Sequence, residues 1–161
     1  MFNILYDLEN GVVSKRIDKS TINYFTGGWL EEFCFNVLFD MKGNGIDDVV
    51  VGLQLKNTNG RDNEFDIMFT KDNALYFVEC KSLDQYEDKG TEVLYKIGAL
   101  QKEFGLRVNS FLVTTSPHIL RNGRLKPAVD ARAEQFKTTI VPPQDVLNFG
   151  SKVHEKLKIE V

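Results

Sequence analysis

The chain has 161 residues, 42% of them hydrophobic and 27% charged, with a formal net charge of −3; this suits one soluble globular domain with a sizeable core. No apolar run approaches the roughly 20 residues that a membrane-spanning helix needs, and Met1–Leu5 lacks the basic start and long apolar stretch of a secretion signal. Cys34 and Cys80 both lie in apolar runs; two buried thiols in a reducing compartment, hence a cytoplasmic location, are the expectation.

Phe2–Tyr6 suits a short strand or an arm, and residues 7–26 are mixed and poorly periodic. Residues 1–23 are therefore expected as an arm or linker, and 24–161 as the domain. A helix is predicted from Thr26-Gly27-Gly28, with Thr26 as its cap. Leu30, Phe33, Cys34, Val37, Leu38 and Met41 recur at helical spacing, and Gly43 and Gly45 end it. Val49–Leu55 reads as a strand and Asn57–Asn63 as a polar loop. Two strands follow, Glu64–Phe69 and Leu75–Lys81. A second helix is predicted from about Lys89 to Phe104, with Val93, Ile97, Leu100 and Phe104 on one face and Gly105 as its stop. Val108–Thr115 is a further strand, and Ser116–Pro127 a loop. Pro127 opens a third helix with Ala128, Ala131 and Phe136 facing inward, Thr138–Val141 is a short strand, and Pro142-Pro143 opens a last helix to about Leu157. The order α-β-β-β-α-β-α-β-α predicts an α/β domain with a central mixed sheet flanked by helices.

The two central strands carry acids and a lysine among Phe, Ile and Val, which is costly unless the charges are paired or hold a metal. Asp72-Asn73 suits a tight turn, because both residues tolerate the left-handed region. That turn pairs residues whose numbers sum to 145. Phe69–Tyr76, Ile67–Val78 and Phe65–Cys80 then share an apolar face, while Met68–Phe77, Asp66–Glu79 and Glu64–Lys81 share the other. Directly opposed Asp66 and Glu79 would repel, and a hard divalent cation between them removes the repulsion. Lys81 beside a metal-bound water can orient it and stabilise developing negative charge. Of the acid-x-Lys triplets in the chain, only Glu79-Cys80-Lys81 ends an apolar strand with a carboxylate opposite; Asp40-Met41-Lys42 and Glu87-Asp88-Lys89 do neither.

On the first helix, Glu31 shares a face with Cys34 and Leu38 and could reach the metal directly or through water, whereas Glu32 suits the helix dipole. Charge is uneven: residues 1–93 hold 17 acidic against 9 basic side chains, and residues 94–140 hold 8 basic against 3 acidic. Lys96, Arg121, Arg124 and Lys126 in that basic stretch are the candidate substrate contacts, with a solvated helix face as the plainer alternative. Trp29 and Tyr95 read as packing. His118, in the basic loop, could touch phosphate, with a solvated loop histidine as the plainer alternative, and His154, on the last helix, has no evident partner in the sequence.

These residues resemble the PD-(D/E)XK nucleases: a helix with a glutamate (Glu31), a strand with Asp (Asp66), and a strand ending in acid-x-Lys (Glu79-Cys80-Lys81). Phe65 stands where that pattern usually has proline. Gly27–Phe33, Asn63–Asp66, Val78–Lys81 and Leu94-Tyr95-Lys96 are similar to the nuclease domain of CRISPR-associated nucleases that carry a cyclic-oligoadenylate sensor domain, over roughly residues 24–147. The resemblance implies a restriction-endonuclease-like core and a homodimeric nuclease, dependent on Mg²⁺ or Mn²⁺, that cuts single-stranded DNA or RNA, in CRISPR-linked or other defence. Asp66, Glu79, the Cys80 carbonyl and Glu31 would bind the metal, and Lys81 would position the water. About 25 residues precede the helix, too few for the sensor domain. A fragment of a longer sensor-nuclease and a stand-alone relative both remain open, and no cyclic oligoadenylate is expected on these residues. Holliday-junction resolvases and restriction-type enzymes share the core. The competing readings are a non-catalytic nucleic-acid-binding or dimerisation module, and a structural domain whose charges only fix strand register.

Overall fold

A computed structural model describes residues 7–9, 12–14, 18–56, 62–82, 92–104 and 108–159. The expectations for Phe2–Tyr6, for the loop at 57–61, for a helix start at Lys89 and for a stop at Gly105 lie outside the described residues. Strands β1 (Asp7–Glu9) and β2 (Val12–Ser14) form a separate antiparallel ribbon. Helix α1 (Lys19–Asn23) passes through a π-helical turn, Tyr24–Gly28, into α2 (Trp29–Asp40). Strands β3 (Asp48–Lys56), β4 (Asp62–Lys71) and β5 (Ala74–Lys81) follow, then α3 (Glu92–Phe104) and β6 (Val108–Thr114). Strands β7 (Leu120–Arg121) and β8 (Arg124–Leu125) form a small hairpin, and α4 (Pro127–Gln135), β9 (Thr138–Val141) and α5 (Phe149–Leu157) complete the order.

The central sheet runs β3-β4-β5-β6-β9. β3, β4 and β5 are an antiparallel meander, with the Asp72-Asn73 turn joining β4 to β5; β5, β6 and β9 are parallel, because α3 and α4 carry the chain across. This is the mixed α/β sheet expected from the element order. Leu30, Cys34 and Leu38 of α2 and Phe149 and Val153 of α5 cover one face, against Ile67, Phe69, Val78 and Phe111. Leu94 and Ile97 of α3 and Val129 and Ala133 of α4 cover the other, against Leu112. Asp72 and Asn73 adopt φ of 51° and 60°, as the tight turn requires, and set the expected register through Ile67–Val78.

Several local expectations are corrected. The helix starts at Lys19 rather than at Thr26: the Asp18 carboxylate caps it by accepting the Thr21 N–H at 2.7 Å, and Thr26 Oγ1 donates back to the Ile22 carbonyl instead of capping. On α3 Ile97 is buried and Val93 half-buried against the same cluster, as expected, and Leu94 joins them; the side chains of Leu100 and Phe104 lie outside the described residues. On α4 the phase set by Pro127 turns Val129 and Ala133 inward and leaves Ala128 and Ala131 exposed, while Phe136, just past the helix, packs half-buried against the same cluster as expected. The basic loop holds a 3₁₀ turn, Pro117–Ile119, and the β7–β8 hairpin. A 3₁₀ segment, Pro143–Asn148, precedes α5.

The expected two-face alternation fails at one place. Gly52 of β3 has φ of 64° and sits across from Asp66 of β4, between the paired positions Val51–Ile67 and Leu53–Phe65. Below this point Val49 and Ile67 belong to the α2 face; above it Leu53 and Phe65 belong to a cluster with Met68 and Phe77 on the opposite face. The Phe65 and Phe77 ring centroids are 4.9 Å apart. Phe65 therefore does not share a face with Cys80: a left-handed residue in the strand breaks the pleat phase. Gly52→Ala, with open space around its Cβ but a strained backbone, is expected to lower stability by about 1 kcal/mol in urea denaturation. An unchanged midpoint would contradict this account of the strand.

Candidate active site

The break in the pleat is where the acidic residues gather. The β4–β5 ladder stops at Ile67–Val78, short of the expected Asp66–Glu79 and Glu64–Lys81 pairs. With Ile67 facing α2 and Phe65 facing the other way, Asp66 between them turns sideways, into the space between the strands. Its Oδ2 accepts the Cys80 N–H at 2.7 Å. A carboxylate thus takes the place of a strand carbonyl, and the amide it satisfies belongs to the middle residue of Glu79-Cys80-Lys81.

Glu79 continues the β5 alternation onto the α3 face and is buried. Its Oε1 lies 2.9 Å from Lys81 Nζ and 2.9 Å from Lys96 Nζ, the latter reaching in from α3. Burial, and then the Glu79 charge, push the Asp66 carboxyl up to about 6. Glu31, in the first turn of α2, is raised by burial and then by Glu64, with Lys81 opposing and Glu79 adding. Burial works against the Lys81 charge, but Glu79 outweighs it, so the ammonium titrates above its ordinary value and stays protonated. Asp66, Glu79, Lys81 and Glu31 therefore form one electrostatic group, fed from both sheet faces through the gap that Asp66 enters. Glu32 is exposed and engages the Tyr24 hydroxyl, outside this group. Cys80 turns its side chain to the α2 face, where Cys34 and burial push its thiol well above the ordinary value; both cysteines are buried and unbridged.

The site lies at the end of β5, beside the end of β6, because Lys81 pairs with Thr114. Thr115 donates its N–H to the Lys81 carbonyl at 3.0 Å and its hydroxyl to the Ser82 carbonyl at 2.6 Å. The Ser82 hydroxyl donates to the Thr26 carbonyl in the π-helical turn. This chain of bonds ties the end of β5 to β6 and to the start of α2, and no motif in the sequence announces it. The segment after Thr115 leads directly to Arg121 and Arg124, which face each other across β7–β8 and are exposed, and to Lys126, half-buried before α4. A groove of about 490 Å³ lined by Val37, Asp40, Met41, Gly150, Ser151 and His154 sits at the other end of α2, away from these groups.

The carboxylate oxygens here are donors of the kind a hard divalent cation takes. Asp66 and Glu31 are carboxylates whose charge is disfavoured by burial and by each other's neighbours, and oxygen donors under mutual repulsion are what such a cation relieves. Among the described residues, no three His, Cys, Asp or Glu side chains are gathered closely enough to hold a metal ion by themselves.

The sequence profile of the family described as "Card1-like, endonuclease domain" matches residues 18–159. No curated protein matches the chain. The fold is similar to that of protein VC1899 from Vibrio cholerae, with a TM-score of 0.73 and 21% identity over 96% of this chain and 40% of that one. It is also similar to Can2 from Sulfobacillus thermosulfidooxidans, solved in complex with cyclic tetra-adenylate, with a TM-score of 0.68 and 20% identity over 89% of this chain and 39% of that one. This chain thus spans about two fifths of the length of these two relatives.

A carboxyl that titrates higher in the fold than in the unfolded chain binds more protons in the native state. Its contribution favours the fold below about pH 4 and is lost as pH rises through about 6. Asp66→Asn keeps an acceptor for the Cys80 N–H without the charge. In EDTA at pH 7 it is expected to be more stable than the wild type by on the order of 1 kcal/mol, with the difference vanishing near pH 4. Thermal denaturation across this range checks it; a variant less stable at pH 7 would refute the buried-charge reading.

Proposed function

The chain belongs to the Card1-like endonuclease domain family, and we propose that it hydrolyses phosphodiester bonds in single-stranded nucleic acid with the help of Mg²⁺ or Mn²⁺. The observation that carries this reading is the junction of Asp66, Glu79 and Lys81 at the gap between β4 and β5, with Asp66 bonded to the Cys80 amide.

Asp66, Glu79 and the Cys80 carbonyl would hold the cation, with Glu31 adding negative charge from α2. When bound, the cation supplies the positive charge that acidifies water and offsets charge on the phosphate oxygens. Lys81 does the rest of the positioning. Because its ammonium stays protonated, it is a hydrogen-bond donor and a charge, not a base. It orients the attacking water against phosphorus and neutralises charge as the water oxygen, giving its proton to solvent, bonds to phosphorus and the opposite P–O bond breaks, the leaving oxygen taking a proton from solvent. The Thr26–Ser82–Thr115 bonds keep the end of β5 in place during this displacement. Arg121 and Arg124, exposed on the hairpin beyond β6, would track the substrate phosphates.

Labelled single- and double-stranded DNA and RNA, incubated with Mn²⁺, Mg²⁺ or EDTA, test the reading. Cleavage is expected with metal and not with EDTA, and Asp66→Ala, Glu79→Gln and Lys81→Ala are each expected to slow it by roughly 100-fold or more. Cleavage that persists in EDTA, or that all three variants leave intact, is incompatible with this mechanism. Salt-sensitive binding without cleavage would favour a binding module instead.

A further inference from the structure

Among the described residues, Glu79 alone carries two ammonium groups, and both sit on the same oxygen, Oε1. Lys81 stands two residues along the strand, about 6.6 Å away at the backbone, so it folds back along β5 to make its contact. Lys96 comes from a different layer, its side chain half exposed on α3 and its Nζ reaching the buried carboxylate. A lysine folded back on Glu79 is not on the substrate. If Lys81 leaves for the phosphate, a carboxylate that is 5% exposed loses its strand partner, which is costly without a second cation.

We propose that Lys96 is a positioning residue: it is the standing counter-ion of Glu79, which holds Oε1 and releases Lys81 to the substrate. This rests on the nuclease reading above. It gives Lys96 a role distinct from phosphate binding, which its place in the basic stretch first indicated. Two lysines are then not redundant. One acts on the reaction, and the other keeps the buried carboxylate paired.

Lys96→Met and Lys96→Arg in the full chain separate the possibilities. Mn²⁺ binding, measured by calorimetry without nucleic acid, reads the charge around Glu79 independently of activity. Cleavage of a labelled single-stranded oligonucleotide reads kcat and KM. Removing the ammonium in Lys96→Met is expected to tighten Mn²⁺ binding at least about threefold, because a competing cation is gone. The same variant should lower kcat roughly 10- to 100-fold with KM within about threefold, and Lys96→Arg should return both quantities toward wild type. Mn²⁺ affinity that is unchanged or weaker overturns the proposal, as does a kcat within about twofold of wild type or a loss confined to KM, the mark of a substrate contact. If the Met variant does not fold, Lys96→Gln, which keeps a hydrogen bond without the charge, takes the same measurements. A wild type that binds Mn²⁺ but does not cleave refutes the nuclease reading alone, and the calorimetric comparison still decides what Lys96 does to Glu79.

Discussion

The bond from the Cys80 amide to the Asp66 carboxylate is the constraint on which the candidate site depends. It exists because the β4–β5 ladder ends one residue early and the Asp66 side chain occupies the place of a strand carbonyl. A buried amide left without an acceptor is expensive, so this carboxylate is held laterally whatever its charge state. The strands can separate here because Gly52, across from Asp66, takes up a left-handed conformation that lets both strands change faces together. Apolar packing is kept on either side of the break, by Ile67 below and by Phe65 against Phe77 above.

Charge is arranged around that gap with little slack. Carboxylates arrive from α2, β4 and β5, and two ammonium groups converge on the most buried of them. The fold tolerates this cluster at a cost, visible in the raised Asp66 and Glu31 carboxyls. A structural charge ladder would balance acid and base in pairs; here the acids outnumber the bases and repel one another in a partly buried space. Repulsion of this kind is what a bound cation would relieve, and that is the physical ground for proposing a catalytic reading over a register-fixing one. The serine and threonine bonds that link the end of β5 to α2 and β6 fit the same picture: they fix the backbone that carries Lys81 while leaving its side chain able to move.

Much of this was legible in the residues. The Asp72-Asn73 turn set the register, the alternation of β5 put Glu79 and Lys81 on one face, and the apolar spacing of α2 turned Glu31 toward the sheet. What could not be read was the failure of alternation at Asp66. A lone glycine in Val49–Leu55 is an ordinary strand residue by composition; only its φ shows that the pleat changes phase there. The helix phase on α4 could not be read for a related reason. Ala128 and Val129 are apolar neighbours, and which one turns inward depends on where the helix starts against the sheet. The start of the first helix was missed because its cap, Asp18, opens a short polar turn without an apolar face, joined to α2 by a π-helical turn that interrupts the period.

The sequence by itself determined the α/β order and the turn, and it singled out the candidate residues for chemistry, because each follows from local periods and from the cost of charges in apolar strands. Tertiary structure alone decided how those residues meet: Asp66 beside Cys80 rather than opposite Glu79, and Lys96 on Glu79 from a helix 17 positions away. The physical reason is that a strand's period specifies faces only while its pleat is regular. Where it breaks, the direction of a side chain is set by which unsatisfied amide or buried charge lies within reach.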